Sequence, residues 1–388
     1  MITVTQALDH LFALAAPLPV ETVPLTKAAG RVLARPVTAR RDQPPFSASA
    51  MDGYAVPEAA AGQSFTVIGE SAAGQRFDAP VGPGQAVRIF TGAPVPEGAN
   101  RIVIQEDVTR DGDRITLHDD LDENPYIRPA GTDFRVGQTV NAPKRLTAQD
   151  VALLAAMNIA EVPVTRRPRV ALISTGNELV MPGDTPGPDQ IIASNTFGLH
   201  ALLRALGAEA RILPIARDTS ASLIHGFSLV EDADLVITIG GASVGDHDLV
   251  AQVAEDLGMD RAFHTVAMRP GKPLMSGRLN DAMMIGLPGN PVSAMVCGHV
   301  FVAPVIRAML GLGAAPAPRL TARLAAPLTA NGPREHYMRA ELSEDGITAL
   351  ARQDSSLLSV LGRANALLVR PVGDAARAVG ETVAYLPL

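Results

Sequence analysis

The sequence predicts a multidomain chain of the α/β plus β class. A parallel-sheet α/β domain is expected together with a split helical domain, an inserted small β domain and a C-terminal β domain. Three observations predict it. Between 167 and 315, apolar runs that end in glycine alternate with helical patterns, the signature of buried parallel strands joined by crossover helices. From 46 to 134 and again from 316 to 388, short apolar segments are separated by Gly/Pro turns. Glycine (34) and proline (31) make up about a sixth of the 388 residues, above the usual ~12%, so turns are many. The remaining stretches, 1–45 and 135–166, carry helical patterns and form the two halves of the split domain.

The totals narrow the function classes. A net charge of −7 argues against nonspecific nucleic-acid binding. The cations are unevenly chosen, with only three lysines, Lys27, Lys144 and Lys272, among 33 basic residues. Lys272, between Gly271 and Pro273, stands out as a candidate for a site role. No stretch is apolar for the ~18 residues of a membrane span. The nearest, 291–312, contains His299, Pro304 and Arg307 and reads as a long core helix. The N-terminus shows neither a basic region nor an apolar one of signal-peptide type. One cysteine, Cys297, forms no internal disulfide. This agrees with a reducing, cytoplasmic setting, and its apolar neighbours predict a buried structural thiol.

Taken in order, residues 3–16 are expected to form a helix capped by Thr3 or Thr5, with Ala7, Leu8, Leu11, Phe12 and Leu14 as the apolar stripe. A second helical patch is read at 26–33. The run Arg40-Arg-Asp-Gln-Pro-Pro-Phe-Ser-Ala-Ser-Ala-Met-Asp-Gly-Tyr-Ala-Val56 is a loop with a turn at Asp52-Gly53. Strands follow at 64–69, 86–90, 101–105 and 114–117. Thr147 with Asp150 three residues on forms a capping box before helix 151–157. Strand 170–174 runs into Thr175-Gly-Asn-Glu-Leu179. Helix 194–206, capped by Ser194 or Asn195, strand 210–215, helix 221–229 and strand 235–239 come next. Strands 261–268 and 273–277 flank Arg269-Pro-Gly-Lys272, and strand 282–286 leads into Leu287-Pro-Gly-Asn-Pro-Val-Ser-Ala294. There Asn290 can cap, Pro291 suits the first helical position and Ser293 lies in the first turn.

Ligands of such sheets lie beyond the carboxyl ends of the strands. Glu178, Asp218 and Asp248 each follow directly on a strand, which places three carboxylates around one crevice. Glycines at 240, 241 and 245 allow a ligand close to bare backbone, and the helix starting near 249 offers N–H groups to an anion. The acids suit Mg²⁺, which takes one or two carboxylates with ligand phosphates. Arg269 and Lys272 suit a separate anion. Asp246 and His247 are read as solvated or outlying. No Walker A sequence, Gly-x-Ser-x-Gly elbow, paired-cysteine or His-x-x-x-His site is present.

Six stretches in order resemble the MoeA-type molybdopterin molybdenumtransferases, the family that includes the gephyrin C-terminal region. They are Ser49-Ala-Met-Asp-Gly-Tyr-Ala55, Phe90-Thr-Gly-Ala-Pro94, Ser174-Thr-Gly-Asn-Glu-Leu179, Gly240-Gly-Ala-Ser-Val-Gly245, Arg269-Pro-Gly-Lys-Pro273 and Leu287-Pro-Gly-Asn-Pro-Val-Ser293. The resemblance spans nearly the whole chain. It implies a cytoplasmic enzyme of molybdenum cofactor biosynthesis. With Mg²⁺ it would insert molybdate into adenylylated molybdopterin and release AMP. It implies a homodimer in which the inserted domain of one subunit lies near the α/β crevice of the other. It also implies transient contact with the molybdopterin adenylyltransferase and with cofactor-accepting enzymes, and no nucleic-acid or membrane partner.

Position by position, the resemblance assigns Asp52, Thr91, Glu178, Asp218 and Asp248 to catalysis, with Glu178 and Asp248 nearest the Mg²⁺. It assigns substrate binding to Arg128, Asp133, Gly240, Gly241, Ser243, Gly245, Pro273, Pro288, Asn290 and Pro291. Arg269, Lys272, Ser293, Arg339 and Ser359 match the molybdate pocket. The chain departs from the family at Thr265, where a lysine is common, at Arg128-Pro-Ala-Gly, where the family is arginine-rich, and at Ala242. The competing expectations are a related pterin-binding nucleotidyltransferase and a noncatalytic gephyrin-like scaffold.

Overall fold

The computed structural model describes residues 1–241 and 249–388. These divide into two units, one of Met1–Glu21, Gly30–Ala34 and Val164–Leu388, the other of Thr22–Ala29 and Arg35–Pro163. The first unit is built on a six-stranded sheet in the order Glu209–Ile212, Arg169–Ser174, Leu235–Ile239, Ala282–Leu287, Pro273–Leu279, Asp260–Thr265. The first four strands are parallel, with Val170 opposite both Ala210 and Leu235. The hairpin Pro273–Leu279/Ala282–Leu287 turns the sheet antiparallel at its other end.

Alternate residues of a strand face opposite sides, and here both sides are dry. Val170, Leu172, Leu235, Ile237 and Ile239 join one core with the helices Val4–Leu14, Ser194–Leu206 and Pro291–Met309. Ala171, Ile173 and Val236 join a second core with Leu223 and Phe227 of helix Ser220–Ser228 and with Val250, Ala251, Val253 and Ala254 of helix Leu249–Asp256. Double-sided burial is why these strands read as unbroken apolar runs. The 19-residue helix Pro291–Met309 is apolar and long enough to cross a membrane, but most of it is buried inside the protein. It passes through a π-type turn at Gly298–Val302.

A second sheet of the same unit runs Met268–Arg269, Glu335–Ser343, Ala366–Arg370, Thr382–Pro387, Leu320–Arg323, with Gly346–Ala349 paired to Glu335–Ser343. Its edge is formed by Met268–Arg269, whose Arg269 lies opposite His336 in a parallel pair. The Arg269-Pro-Gly-Lys loop is thereby tied to the C-terminal sheet.

In the second unit a six-stranded sheet has the order Arg101–Ile104, Gly53–Val56, Gln85–Ile89, Ser64–Ser71, Arg114–Leu117, Val108–Asp111. All its pairs are antiparallel except Ser64–Ser71 with Gln85–Ile89. Tyr54, Val56, Phe65, Val103 and Ile115 fill one face and Ala55, Val87, Ile89 and Ile102 the other. Helix Ala148–Ala156 begins with the expected Thr147/Asp150 capping box. Helix Val4–Leu14 of the first unit begins with another, made by Thr3 and Gln6.

Two local expectations are corrected. The patch at 26–33 is not a helix: Leu25–Lys27 is a single 3₁₀ turn and Val32–Leu33 a strand, Leu33 pairing with Val164. The pairing is decided 131 residues away, which no local period reports. Helix Ser194–Leu206 has Ala193 at its cap position with no side-chain bond, so neither Ser194 nor Asn195 caps it. Asn290 does occupy the cap position of the helix beginning at Pro291, again without a side-chain bond.

Candidate active site

The strand ladder of the first unit carries on past its last formal strand. Thr175 bridges Ala216, the Ala216 N–H donates to the Ser174 carbonyl at 2.9 Å, and the Gly176 N–H donates to the Ala216 carbonyl at 3.1 Å. This lays the turn 176–179 against the turn 216–218. Beyond them opens a cleft of about 780 Å³ lined by Glu178, Asp218, Gly240, Gly241, Asn195, Pro273, Pro288, Asn290, Pro291 and Ser356, among others. Gly240 has φ +94° and a Cβ there would sit 2.6 Å from the Thr175 carbonyl oxygen, so only glycine fits.

The two carboxylates differ. Asp218 Oδ2 accepts the Asn177 N–H at 3.2 Å, while the Asp218 N–H donates to Asn177 Oδ1 at 3.1 Å. Glu178 folds back over Gly176, and among the described residues its carboxylate has no protein hydrogen bond or ion pair. Asn195 Nδ2 donates to the Gly289 carbonyl at 2.7 Å, joining the starts of the two cleft helices. Both helices lack a side-chain cap. In the helix beginning at Pro291, proline has no N–H and the Val292 N–H already donates to the Ser355 carbonyl at 3.0 Å. Of the two, it is therefore the start of helix Ser194–Leu206 that offers uncapped N–H groups to a ligand.

A basic cluster lies at the C-terminal sheet. Arg339 is 0% exposed, and among the described residues only its Nη2 finds a partner, the Asp354 carbonyl at 3.2 Å; Nε and Nη1 have none. Burial and the neighbouring Arg269 lower its pKa to about 10. His336 is buried beside them with Nε2 unpartnered, and burial together with Arg269, Arg339, Arg370 and Arg334 lowers its pKa to about 4. Unpaired buried donors cost about 1–3 kcal/mol each, more when charged, so this cluster is primed for an anion.

In the second unit Asp52 Oδ1 accepts both the Thr91 N–H (2.7 Å) and the Thr91 hydroxyl (2.8 Å). These bonds hold the carboxyl below the usual range. Arg128, placed by its pairing with Ala48, shares a cavity of about 500 Å³ with Asp133, Arg41, Phe46 and Gly92.

Three family profiles match the chain in succession: MoeA N-terminal region (domain I and II) over 2–158, Probable molybdopterin binding domain over 171–308, and MoeA C-terminal region (domain IV) over 321–388. A protein of Nostoc sp. named molybdopterin molybdenumtransferase is 37% identical over 95% of this chain and 88% of that protein. The chain belongs to the molybdopterin molybdenumtransferase family. The Haemophilus influenzae member is 35% identical over 100% of this chain and 98% of its own. A solved molybdopterin biosynthesis moeA protein from Pyrococcus horikoshii superposes with a TM-score of 0.85 at 30% identity, covering 100% of this chain and 99% of that one. The chain is thus a member of a transferase family.

Against this family reading, the structure brings Glu178, Asp218, Gly240, Gly241, Pro273, Pro288, Asn290 and Pro291 onto one cleft. Ser243, Gly245 and Asp248, with Asp246 and His247, lie outside the described residues. Of the residues matched to the molybdate pocket, Arg339 and Ser293 are buried and Arg269, Lys272 and Ser359 exposed. Asp52 and Thr91 pair with each other, and Arg128 and Asp133 share their own cavity. Sequence reading missed Ser356, which lines the main cleft, and His336. The pairing of Arg269 with His336 across 67 residues is what a single sequence does not show.

Proposed function

We propose that the chain is a molybdopterin molybdenumtransferase, inserting molybdate into adenylylated molybdopterin with release of AMP in molybdenum cofactor biosynthesis. The observation that carries this reading is the coexistence of two differently built anion receptors in one unit. The cleft presents the uncapped start of helix Ser194–Leu206 and bare glycine backbone, suited to a bulky phosphorylated ligand. The Arg339 cluster presents buried N–H donors without partners, suited to a compact tetrahedral oxyanion such as molybdate.

The donor set also fits Mg²⁺. Among the described residues Glu178 has both carboxylate oxygens free and Asp218 has one, which is the share of a magnesium shell that protein carboxylates take when substrate phosphates complete it. Among the described residues no group of three or more His, Cys, Asp or Glu forms a cage alone, in keeping with a metal carried in with phosphate. When bound, the ion would offset charge on the departing phosphate. The protein's own contribution is to seat the phosphates on backbone N–H groups and to hold the oxyanion on Arg339, with Arg269 and Lys272 on the exposed side.

The reading extends to a cytoplasmic homodimer that receives substrate from the molybdopterin adenylyltransferase and passes product to cofactor-accepting enzymes. Purified protein given adenylylated molybdopterin, Mg²⁺ and molybdate should release AMP in proportion to molybdate. Release without molybdate dependence, or none, refutes the transfer. Light scattering should give a dimer mass; a fully active monomer refutes the dimer.

A further inference from the structure

Glu178 poses a positioning problem. Its carboxylate has no protein partner among the described residues, so among them the backbone of its turn is what sets where it points. That turn is held mainly by the Arg217 side chain. Arg217 Nη1 donates to the carbonyl oxygens of Gly176 at 3.3 Å, Asn177 at 3.0 Å and Leu179 at 3.0 Å. Three carbonyls on one nitrogen leave the turn little freedom, because moving any of them lengthens a charge-assisted bond. The arginine is itself anchored. Its N–H donates to Ser222 Oγ at 2.9 Å in the first turn of helix Ser220–Ser228. It also borders an apolar hollow of about 560 Å³ with Val180, Met181, Phe197 and Leu213. The neighbouring residue completes the clasp through the paired bonds of Asp218 with Asn177.

We propose that Arg217 is a positioning residue that sets the Glu178 carboxylate by locking the Gly176–Leu179 backbone to the 216–218 turn. The proposal rests on the function proposed above insofar as Glu178 serves that reaction. Arginine is needed because its delocalised charge reaches several carbonyls at once, and apolar replacement leaves those carbonyls to water.

The test has a kinetic and a physical arm. In the kinetic arm, Arg217→Met should lower kcat for molybdate-dependent AMP release on the order of 10²-fold, as a displacement of about 1 Å does. KM for molybdate should stay within about twofold, since the Arg339 cluster is untouched. Arg217→Lys should recover part of the loss. Combined with Glu178→Asp, which already misplaces the carboxylate, Arg217→Met should add much less than in the wild-type background. Full additivity would overturn the proposal, because it would mean that Arg217 acts elsewhere.

The physical arm needs no turnover. The amides of Gly176 and Asn177 bond across to the 216–218 turn, so hydrogen–deuterium exchange over 175–180 should quicken about tenfold in Arg217→Met. Exchange in helix Val4–Leu14 should stay unchanged. Unchanged exchange at 175–180 overturns the proposal even if the enzyme is active. Quickened exchange in a protein that releases no AMP supports the clasp and overturns the function proposed for the site.

Discussion

Two carboxylates, Asp52 and Glu178, sit in turns of similar length but are treated in opposite ways. Asp52 is bonded from within on one oxygen. Thr91 gives one of its oxygens both an N–H and an O–H, and the Asp52 carbonyl accepts the Gln105 N–H at 3.1 Å. Arg88 then pins the next residue, donating to the Gly53 carbonyl at 3.1 Å while its guanidinium lies 5.1 Å from the Tyr54 ring centroid and 4.8 Å from that of Phe90. Among the described residues Glu178 is held through its backbone, and its oxygens have no partner. The contrast separates two uses of an acid. One carboxylate is fixed by internal bonds that lower its pKa; the other has no bond to the described residues and can meet a ligand.

The contrast can be broken or sharpened by substitution. The largest expected effect is Glu178→Gln, which should cut kcat by about 10²–10³-fold, the scale of losing a group acting in the transition state. Its melting temperature should be unchanged, because no hydrogen bond or ion pair to the described residues is lost; a clear drop in thermal stability would show that Glu178 is structural after all. Next is Gly53→Ala. The new Cβ would lie 2.0 Å from the Val103 carbonyl oxygen inside the sheet, so the second unit should lose about 3 kcal/mol or more by urea denaturation, at the upper end for overpacking. Gly176→Ala meets only the movable end of Glu178, at 2.5 Å. It should cost about 1–2 kcal/mol for its φ of +149° while displacing the carboxylate and lowering activity.

Arg339→Met should go the other way. Removing a buried, half-satisfied charge should leave stability equal or raise it by about 1–2 kcal/mol, while KM for molybdate rises at least tenfold. Loss of stability with molybdate use intact would overturn the assignment of Arg339 to the anion. The last effect concerns pH. The unfolded chain protonates His336 near 6.5 and the folded one only near 4. Stability should therefore fall as pH drops from about 6.5 toward 4 and level off below, since the unfolded state binds the extra proton. His336→Gln should flatten that interval in urea midpoints.

Legibility in the sequence followed the range of the forces involved. Strand Leu235–Ile239 and its glycine exit were plain because double-sided burial writes an unbroken apolar run. The Thr147/Asp150 cap was plain because it closes within four residues. The strand Val32–Leu33 was missed because its partner Val164 supplies the reason for it. In the crevice, Glu178 and Asp218 were legible as acids that follow strands. Their difference was not, since it depends on Asn177 reaching across to a turn 41 residues on. Arg217 left no trace, because an arginine that bonds carbonyls has no motif.

Cys297 has a practical consequence. It is wholly buried and burial pushes its thiol pKa far up, so maleimide reagents have no reactive native target. The chain is in effect a cysteine-free background for labelling without first deleting a core residue. A cysteine placed at exposed Met51, beside Asp52, would carry a single probe whose signal reports on that turn as substrate is added.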